Sequence, residues 1–223
     1  MSTHLLKNYR TDIKIIVVGN SGTGKTSFCT RWVKEIFSDI YKATVMSDFS
    51  FKIYQYKGNY YKIQFWDIAG QDKNVYTSKI FTKGAHGSIV LCDITNPDTM
   101  RETLKWKKAI DENTKFIDGK LLPSVLVQNK IDLVDESQLK SDQEVKEFVE
   151  SNGFVNFFRT SCKNGIGVNE CMEYLIQTII ERLESYSKNT NTPIETDNRM
   201  SIATKPKAET ASMLAKKGCC YFS

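Results

Sequence analysis

Gly19-Asn20-Ser21-Gly22-Thr23-Gly24-Lys25-Thr26 has the spacing G-x-x-x-x-G-K-[ST]. Before it lies Ile13-Lys14-Ile15-Ile16-Val17-Val18, a short β-branched run that reads as a buried strand. After it an amphipathic stretch from about Lys25 to Phe37 reads as a helix. A strand, a glycine-rich turn and a helix in that order make a cradle for an anion. The glycines let successive N–H groups converge, and the helix adds its positive N-terminal end. This is the chemistry of phosphate binding, with Ser21, Gly22, Thr23, Gly24 and Ser27 around the anion. Lys25 is placed to reach the β- and γ-phosphates, and the Thr26 hydroxyl to bind Mg2+.

The rest of the chain repeats the alternation of apolar runs and amphipathic stretches, as an α/β domain does. Asp48 to Tyr56 and Tyr60 to Trp66 read as a hairpin joined through Lys57-Gly58-Asn59. Ser88 to Asp93 and Ser124 to Gln128 fit buried parallel strands, with a helix from Pro97 to about Asn113 between them and Trp106 on its inner face. Ser141 to Ser151 reads as a helix with Ser141 as N-cap and Glu144 closing a capping box. Phe154 to Arg159 reads as the last strand and Val168 to Ser185 as the last helix. Beyond Ser185 the residues are mostly Thr, Asn, Ser, Lys and Pro, too polar to offset their ordering entropy. The expected organisation is an N-terminal extension over 1–11, one domain over 12–185 and a flexible tail over 186–223.

Charge narrows the function classes. The net charge of +5 comes from Lys and Arg interspersed with Asp and Glu, and a basic stripe with aromatics between the charges is missing, so no nucleic-acid partner is expected. No run of apolar residues is long enough to span a bilayer, and Met1 to Arg10 holds no stretch of signal-peptide length. A reducing compartment is therefore expected, with Cys29, Cys92, Cys162 and Cys171 as free thiols.

Phosphate binding alone does not select a base. Asn129-Lys130-Ile131-Asp132 follows a buried strand at its C-terminal end, where ligands of α/β sheets bind. The Asp132 carboxylate can accept from the N1–H and N2 amine of guanine, a donor pair that adenine lacks. Asn129 can address the other edge and brace the loop, while the Lys130 stem covers the face of the base.

In these motifs the chain resembles a Ras-superfamily small GTPase of the Rab type over about Asp12 to Ser185. The resemblance implies a P-loop G domain, with a six-stranded mixed sheet and five flanking helices. It also implies GTP and GDP as ligands, Mg2+ as cofactor and GTP hydrolysis as activity. Trp66-Asp67-Ile68-Ala69-Gly70-Gln71 resembles the family's W-D-T-A-G-Q. By that match Asp67 holds Mg2+ through water, the Gly70 N–H senses the γ-phosphate and Gln71 orients the attacking water. Tyr41-Lys42-Ala43-Thr44 resembles the first switch, with Thr44 on Mg2+ and the γ-phosphate. Phe37 matches the aromatic packed against guanine, although core packing at a helix end would account for it equally. Thr160-Ser161-Cys162-Lys163 resembles the T-S-A-K loop whose N–H groups reach guanine O6, with Cys162 in place of Ala. Ser21 stands where Ras proteins have Gly, which implies reduced but real hydrolysis. Phe49, Trp66 and Phe81 fall at the aromatic triad.

Two stretches depart from the pattern. Val45-Met46-Ser47-Asp48-Phe49 replaces I-G-V-D-F, and Asp72-Lys73-Asn74 follows Gln71 where E-R-[FY] is usual. Both changes bear on regulators and effectors more than on nucleotide chemistry. At the C-terminus Cys219-Cys220-Tyr221-Phe222-Ser223 fits double geranylgeranylation of Cys219 and Cys220, or farnesylation of Cys220 at a CaaX position. The implied protein is a monomer at the cytosolic face of an intracellular membrane, with a cytosolic pool. Its partners are an exchange factor, a GTPase-activating protein, a GDP-dissociation inhibitor and effectors in vesicle traffic. Ile68 and the stretch from Gly153 to Phe158 are similar to the Rabs of endolysosomal, phagosomal and lysosome-related compartments. The alternatives are a GTP-locked scaffold that barely hydrolyses, and a P-loop kinase or ATPase.

Overall fold

A computed structural model describes residues 10–40, 48–70 and 79–191. The residues Tyr41, Thr44, Gln71, Cys219 and Cys220 lie outside them, as do the departures at Met46, Ser47 and Asp72 to Asn74.

Six strands form one sheet: β1 (Thr11–Gly19), β2 (Asp48–Tyr56), β3 (Asn59–Asp67), β4 (Gly87–Asp93), β5 (Ser124–Asn129) and β6 (Asn156–Thr160). Their order is β2-β3-β1-β4-β5-β6, and only β2 runs antiparallel to its neighbour. The helices are α1 (Lys25–Lys34), α2 (Lys79–Thr82), α3 (Pro97–Asn113), α4 (Asp142–Ser151) and α5 (Val168–Thr190). Five helices are thus present among the described residues, with α2 seen as a single turn of four residues.

The burial of the strands explains the layering. All six residues of β5 are buried, as are Ile13, Ile15, Ile16, Val17 and Val18 of β1, so both faces of the central sheet are covered. Trp106 of α3 is 2% exposed, on the inner face as its position predicted. The chain leaves β1 towards β2 and β3 on one side and returns to β4 on the other. The C-terminal end of β1 is therefore the point where connections diverge, the place where α/β sheets bind ligands.

Most ends shift by one or two residues, β6 starting at Asn156 rather than at the expected Phe154, and three differences have a visible local cause. Helix α1 stops at Lys34, where Glu35 adopts φ 61° and returns its N–H to the Arg31 carbonyl; residues 36–40 then leave the helix. Helix α5 runs five residues past Ser185 to Thr190, because nothing between them breaks a helix, and Asn191 ends it in a left-handed conformation. The hairpin turn is Lys57-Gly58 alone, both at positive φ, which leaves Asn59 paired with Tyr56. The capping box of α4 is present, with Ser141 and Glu144 each accepting from the other's N–H.

Candidate functional site

The phosphate loop packs closely against the C-terminal ends of β4 and β5. A Cβ on Gly19 would lie 2.3 Å from the Leu91 carbonyl oxygen, and one on Gly24, at φ 95°, 2.4 Å from Asn129 Nδ2. Only glycine fits either position. Thr23 is fully buried, and its hydroxyl donates to the Asn20 carbonyl at 2.9 Å. It therefore shapes the loop and leaves the cleft wall to its neighbours. Lys25 is 6% exposed and its ammonium donates to the same Asn20 carbonyl at 2.9 Å. Burial lowers the Lys25 pKa, and the Asp67 carboxylate opposes that shift.

Beside Lys25 the Thr26 hydroxyl donates to Asp67 Oδ2. The other oxygen, Asp67 Oδ1, is buried with no hydrogen-bond partner among the described residues. Burial raises the Asp67 pKa, while Thr26 and Lys25 pull it back. An orphaned carboxylate oxygen next to a hydroxyl is an oxygen donor set suited to a hard divalent cation that keeps several waters. Gly70 closes this end. A Cβ there would lie 2.5 Å from the Ser21 amide nitrogen and 2.6 Å from the Gly19 carbonyl oxygen.

At the far end, Asn129 is 1% exposed and fully engaged with protein. Its Nδ2 donates to the Thr23 carbonyl at 2.9 Å, and its Oδ1 accepts from Thr160 Oγ1 at 3.0 Å and the Cys162 thiol at 3.3 Å. Asn129 thus binds the phosphate loop to the 160–163 loop. Ser161 is buried and donates to Asp132 Oδ1 at 2.5 Å, fixing one oxygen of that carboxylate. Lys130 sits at φ 69° with its ammonium 2.6 Å from Asp93 Oδ2. Burial of Asp93 raises its pKa, but the bonds from Lys130 and Thr95 outweigh that and hold it low. Cys162 is 3% exposed, and burial pushes its thiol up to about 12, so it is an inert small side chain here.

Between these ends lies a cleft of about 380 Å³. Ser21, Gly22, Gly24, Lys25, Thr26 and Ser27 line one end, Asn129, Lys130, Asp132, Cys162 and Lys163 the other, and Phe37 and Gly70 lie along its walls. Thr23, Asp67 and Ser161 stand behind that lining as supports. Phe37 both lines the cleft and packs partly buried against the core. Arg31 and Asp93, which lie in no motif, and Asn20, at an unspecified position of the phosphate loop, also shape the site. The one available signal is that Asp93 ends β4 as Asn129 ends β5, and these two are register partners.

On the outer sheet face Phe49 meets Trp66 edge-on at 5.6 Å between centroids, and Phe49 is 46% exposed. Phe81 packs partly buried against the core. Phe51, outside the triad, extends the patch at 6.5 Å from Phe49 and is 44% exposed. The four described cysteines among those expected to be free thiols are free and buried.

A glycine-rich phosphate cradle at the end of β1, an aspartate–threonine pair beside it and a second loop carrying N-K-x-D define a guanine-nucleotide-binding G domain. Residues 14–181 match the Ras family. The chain is 34% identical over 179 residues to Ras-related protein Rab-32 of Homo sapiens, covering 80% of this chain and 79% of that protein. It is 34% identical over 184 residues to Ras-related protein Rab-32A of Dictyostelium discoideum, covering 82% of each. To Ras-related protein Rab-7L1 of Homo sapiens it is 32% identical over 168 residues, covering 75% of this chain and 82% of that protein. The chain belongs to the Rab family of Ras-related small GTPases, which are GTP hydrolases.

Proposed function

We propose that the protein cycles between a GTP-bound, effector-recruiting state on a membrane and a GDP-bound state, regulating vesicle traffic. The observation that carries this reading is the Thr26–Asp67 pair, with its orphaned Oδ1, set beside the Lys25 ammonium and under Gly70. Thr26 and Thr44, and Asp67 through water, would hold Mg2+, which would supply charge neutralisation to the phosphates. Lys25 leaves the Asn20 carbonyl to offset charge on the β- and γ-phosphate oxygens. The Gly70 N–H, braced against the Ser21 main chain, reports the γ-phosphate, and Gln71 orients the attacking water. At the base, Asp132 takes the guanine N1–H and N2 amine, the N–H groups of 161–163 meet O6, the Lys130 stem covers one face, and Phe37 packs edge-on against the ring. Tyr41, in the stretch that resembles the first switch, contributes to nucleotide binding.

Prenyl groups on Cys219 and Cys220 tether this monomer to the cytosolic face of an endolysosomal, phagosomal or lysosome-related membrane. Two lipids give stable anchoring where one gives marginal binding. An exchange factor, a GTPase-activating protein, a GDP-dissociation inhibitor and effectors complete the cycle.

Single-turnover GTP hydrolysis tests the reading. The expected intrinsic rate is on the order of 10⁻⁴ to 10⁻³ per second, accelerated by an activating protein that supplies an arginine. ATP is expected not to compete. Failure to retain GDP at micromolar concentration with Mg2+ overturns the reading. Retention of GTP without turnover in either condition favours a locked scaffold instead. Replacing Cys219 and Cys220 by Ser is expected to leave the protein in the soluble fraction, and persistent membrane association refutes the lipid anchor.

A further inference from the structure

We propose that Arg31 is a positioning residue that holds the base-recognition loop at its working distance from α1, and so sets guanine retention and the reading of O6. The inference rests on the guanine site proposed above.

Arg31 lies in the last turn of α1 and directs three guanidinium donors at three main-chain carbonyls. Its Nε donates to the Cys162 carbonyl at 2.6 Å and Nη2 to the Lys163 carbonyl at 2.5 Å. Its Nη1 donates to the Glu35 carbonyl at 3.0 Å. A planar fork matches two consecutive carbonyls in a way a single ammonium cannot. Charged donors also make the stronger class of hydrogen bond.

The targets give these bonds their meaning. Glu35 is the left-handed residue that ends α1, and Phe37 follows two positions later, with its ring centroid 6.0 Å from the guanidinium carbon. Cys162 and Lys163 line the same cleft as Phe37. One side chain therefore joins two segments of the cleft lining that are far apart in sequence.

The loop has its own internal supports. Ser161 N–H donates to the Ile166 carbonyl at 3.0 Å and Gly165 N–H to the Ser161 carbonyl at 2.7 Å. Ser161 Oγ fixes Asp132 separately. Loss of Arg31 thus leaves the loop's shape, the Asp132 carboxylate and the Asn129 bonds to Thr160 and Cys162 in place, and frees the 162–163 carbonyls from α1. The consequence is selective. Contacts from the 161–163 main chain to O6 loosen, while contacts from Asp132 to N1–H and the N2 amine persist.

The test uses the full chain and its Arg31→Met and Arg31→Lys variants. GDP dissociation is measured, together with relative affinity for GDP, inosine diphosphate (no N2 amine) and 2-aminopurine riboside diphosphate (no O6 and no N1–H). The N1–H contribution, which Asp132 makes, is common to all variants and cancels when they are compared. Arg31→Met is expected to release GDP about tenfold faster, equivalent to about 1.4 kcal/mol. Its preference for GDP over the 2-aminopurine nucleotide is expected to fall by a similar factor, with the GDP-to-inosine preference unchanged. Arg31→Lys keeps charge and stem, reaches one carbonyl, and is expected to recover only part of the loss. Unchanged GDP release in Arg31→Met, or an equal fall in both preferences, overturns the proposal. Complete rescue by Lys also overturns it, since charge alone would then suffice. If the unsubstituted protein itself retains no GDP, the guanine-site reading fails first.

Discussion

Gly24 and Asn129 come from different motifs and touch: a Cβ on Gly24 would lie 2.4 Å from Asn129 Nδ2, the atom that donates to the Thr23 carbonyl. The phosphate end and the base end are thereby packed directly against each other. Gly24→Ala has two costs. It puts a side chain at φ 95°, which disfavours L-residues by about 1–2 kcal/mol, and it displaces the Asn129 amide from Thr23. GDP affinity is expected to fall by roughly a hundredfold, about 2.7 kcal/mol, in a fluorescent-nucleotide titration. Retained affinity would mean that the loop and Asn129 move independently.

The Thr26 hydroxyl and the free Asp67 oxygen suggest a second measurement. Thr26→Ala removes one oxygen ligand and leaves Asp67 Oδ2 without the hydroxyl it accepts from. The Mg2+ concentration that half-suppresses GDP release is expected to rise at least about tenfold. GDP affinity in the presence of excess chelator should change little, because the loop N–H groups and Lys25 remain. Equal sensitivity of both proteins to Mg2+ would remove Thr26 from the metal site.

Most of this architecture can be read in the chain because its determinants are local. The β1 run, the glycine loop, N-K-x-D and the Ser141–Glu144 box each lie within a few consecutive residues. What could not be read depends on distant pairs or on unfavourable backbone. Glu35 at φ 61° and Lys130 at φ 69° carry no sequence signal, since neither residue type favours that region. Arg31 looks like any helix-surface cation until the 162–163 carbonyls fold against it. Motif membership also says nothing about which way a side chain points. Thr23 and Ser161 belong to recognised motifs, yet they face inwards and hold Asn20 and Asp132 in place.

His86 gives the fold a pH dependence away from the nucleotide. Its Nδ1 accepts the Lys14 N–H at 3.1 Å, which requires the ring to be unprotonated there. Burial, with a smaller push from the Lys14 ammonium, lowers its pKa from 6.5 to about 4. Above pH 6.5 the ring is neutral in both folded and unfolded chains and contributes no slope. As pH falls from 6.5 to 4 the unfolded chain binds the proton first, so stability falls, by at most about 3 kcal/mol from linkage. His86→Asn keeps an acceptor and cannot titrate. Urea midpoints between pH 7.5 and 4.5 are expected to drop more steeply for the unsubstituted protein, and parallel curves would show that His86 is not protonated on unfolding.

Trp106 links the core to the phosphate loop. Its indole Nε1 donates to Asn20 Oδ1 at 3.0 Å, while the Asn20 carbonyl accepts from both Thr23 and Lys25. The main-chain oxygen on which Lys25 rests is therefore positioned by a side chain 86 residues away. Trp106→Phe keeps an aromatic ring in the buried site but leaves the Asn20 amide oxygen without that donor, at a cost of about 1–3 kcal/mol. Part of that cost should appear in the nucleotide, because the loop that Asn20 shapes is the one that grips the phosphates. Stability in saturating GDP and GDP release are expected to change together. A stability loss with unchanged release would assign Trp106 to the core alone.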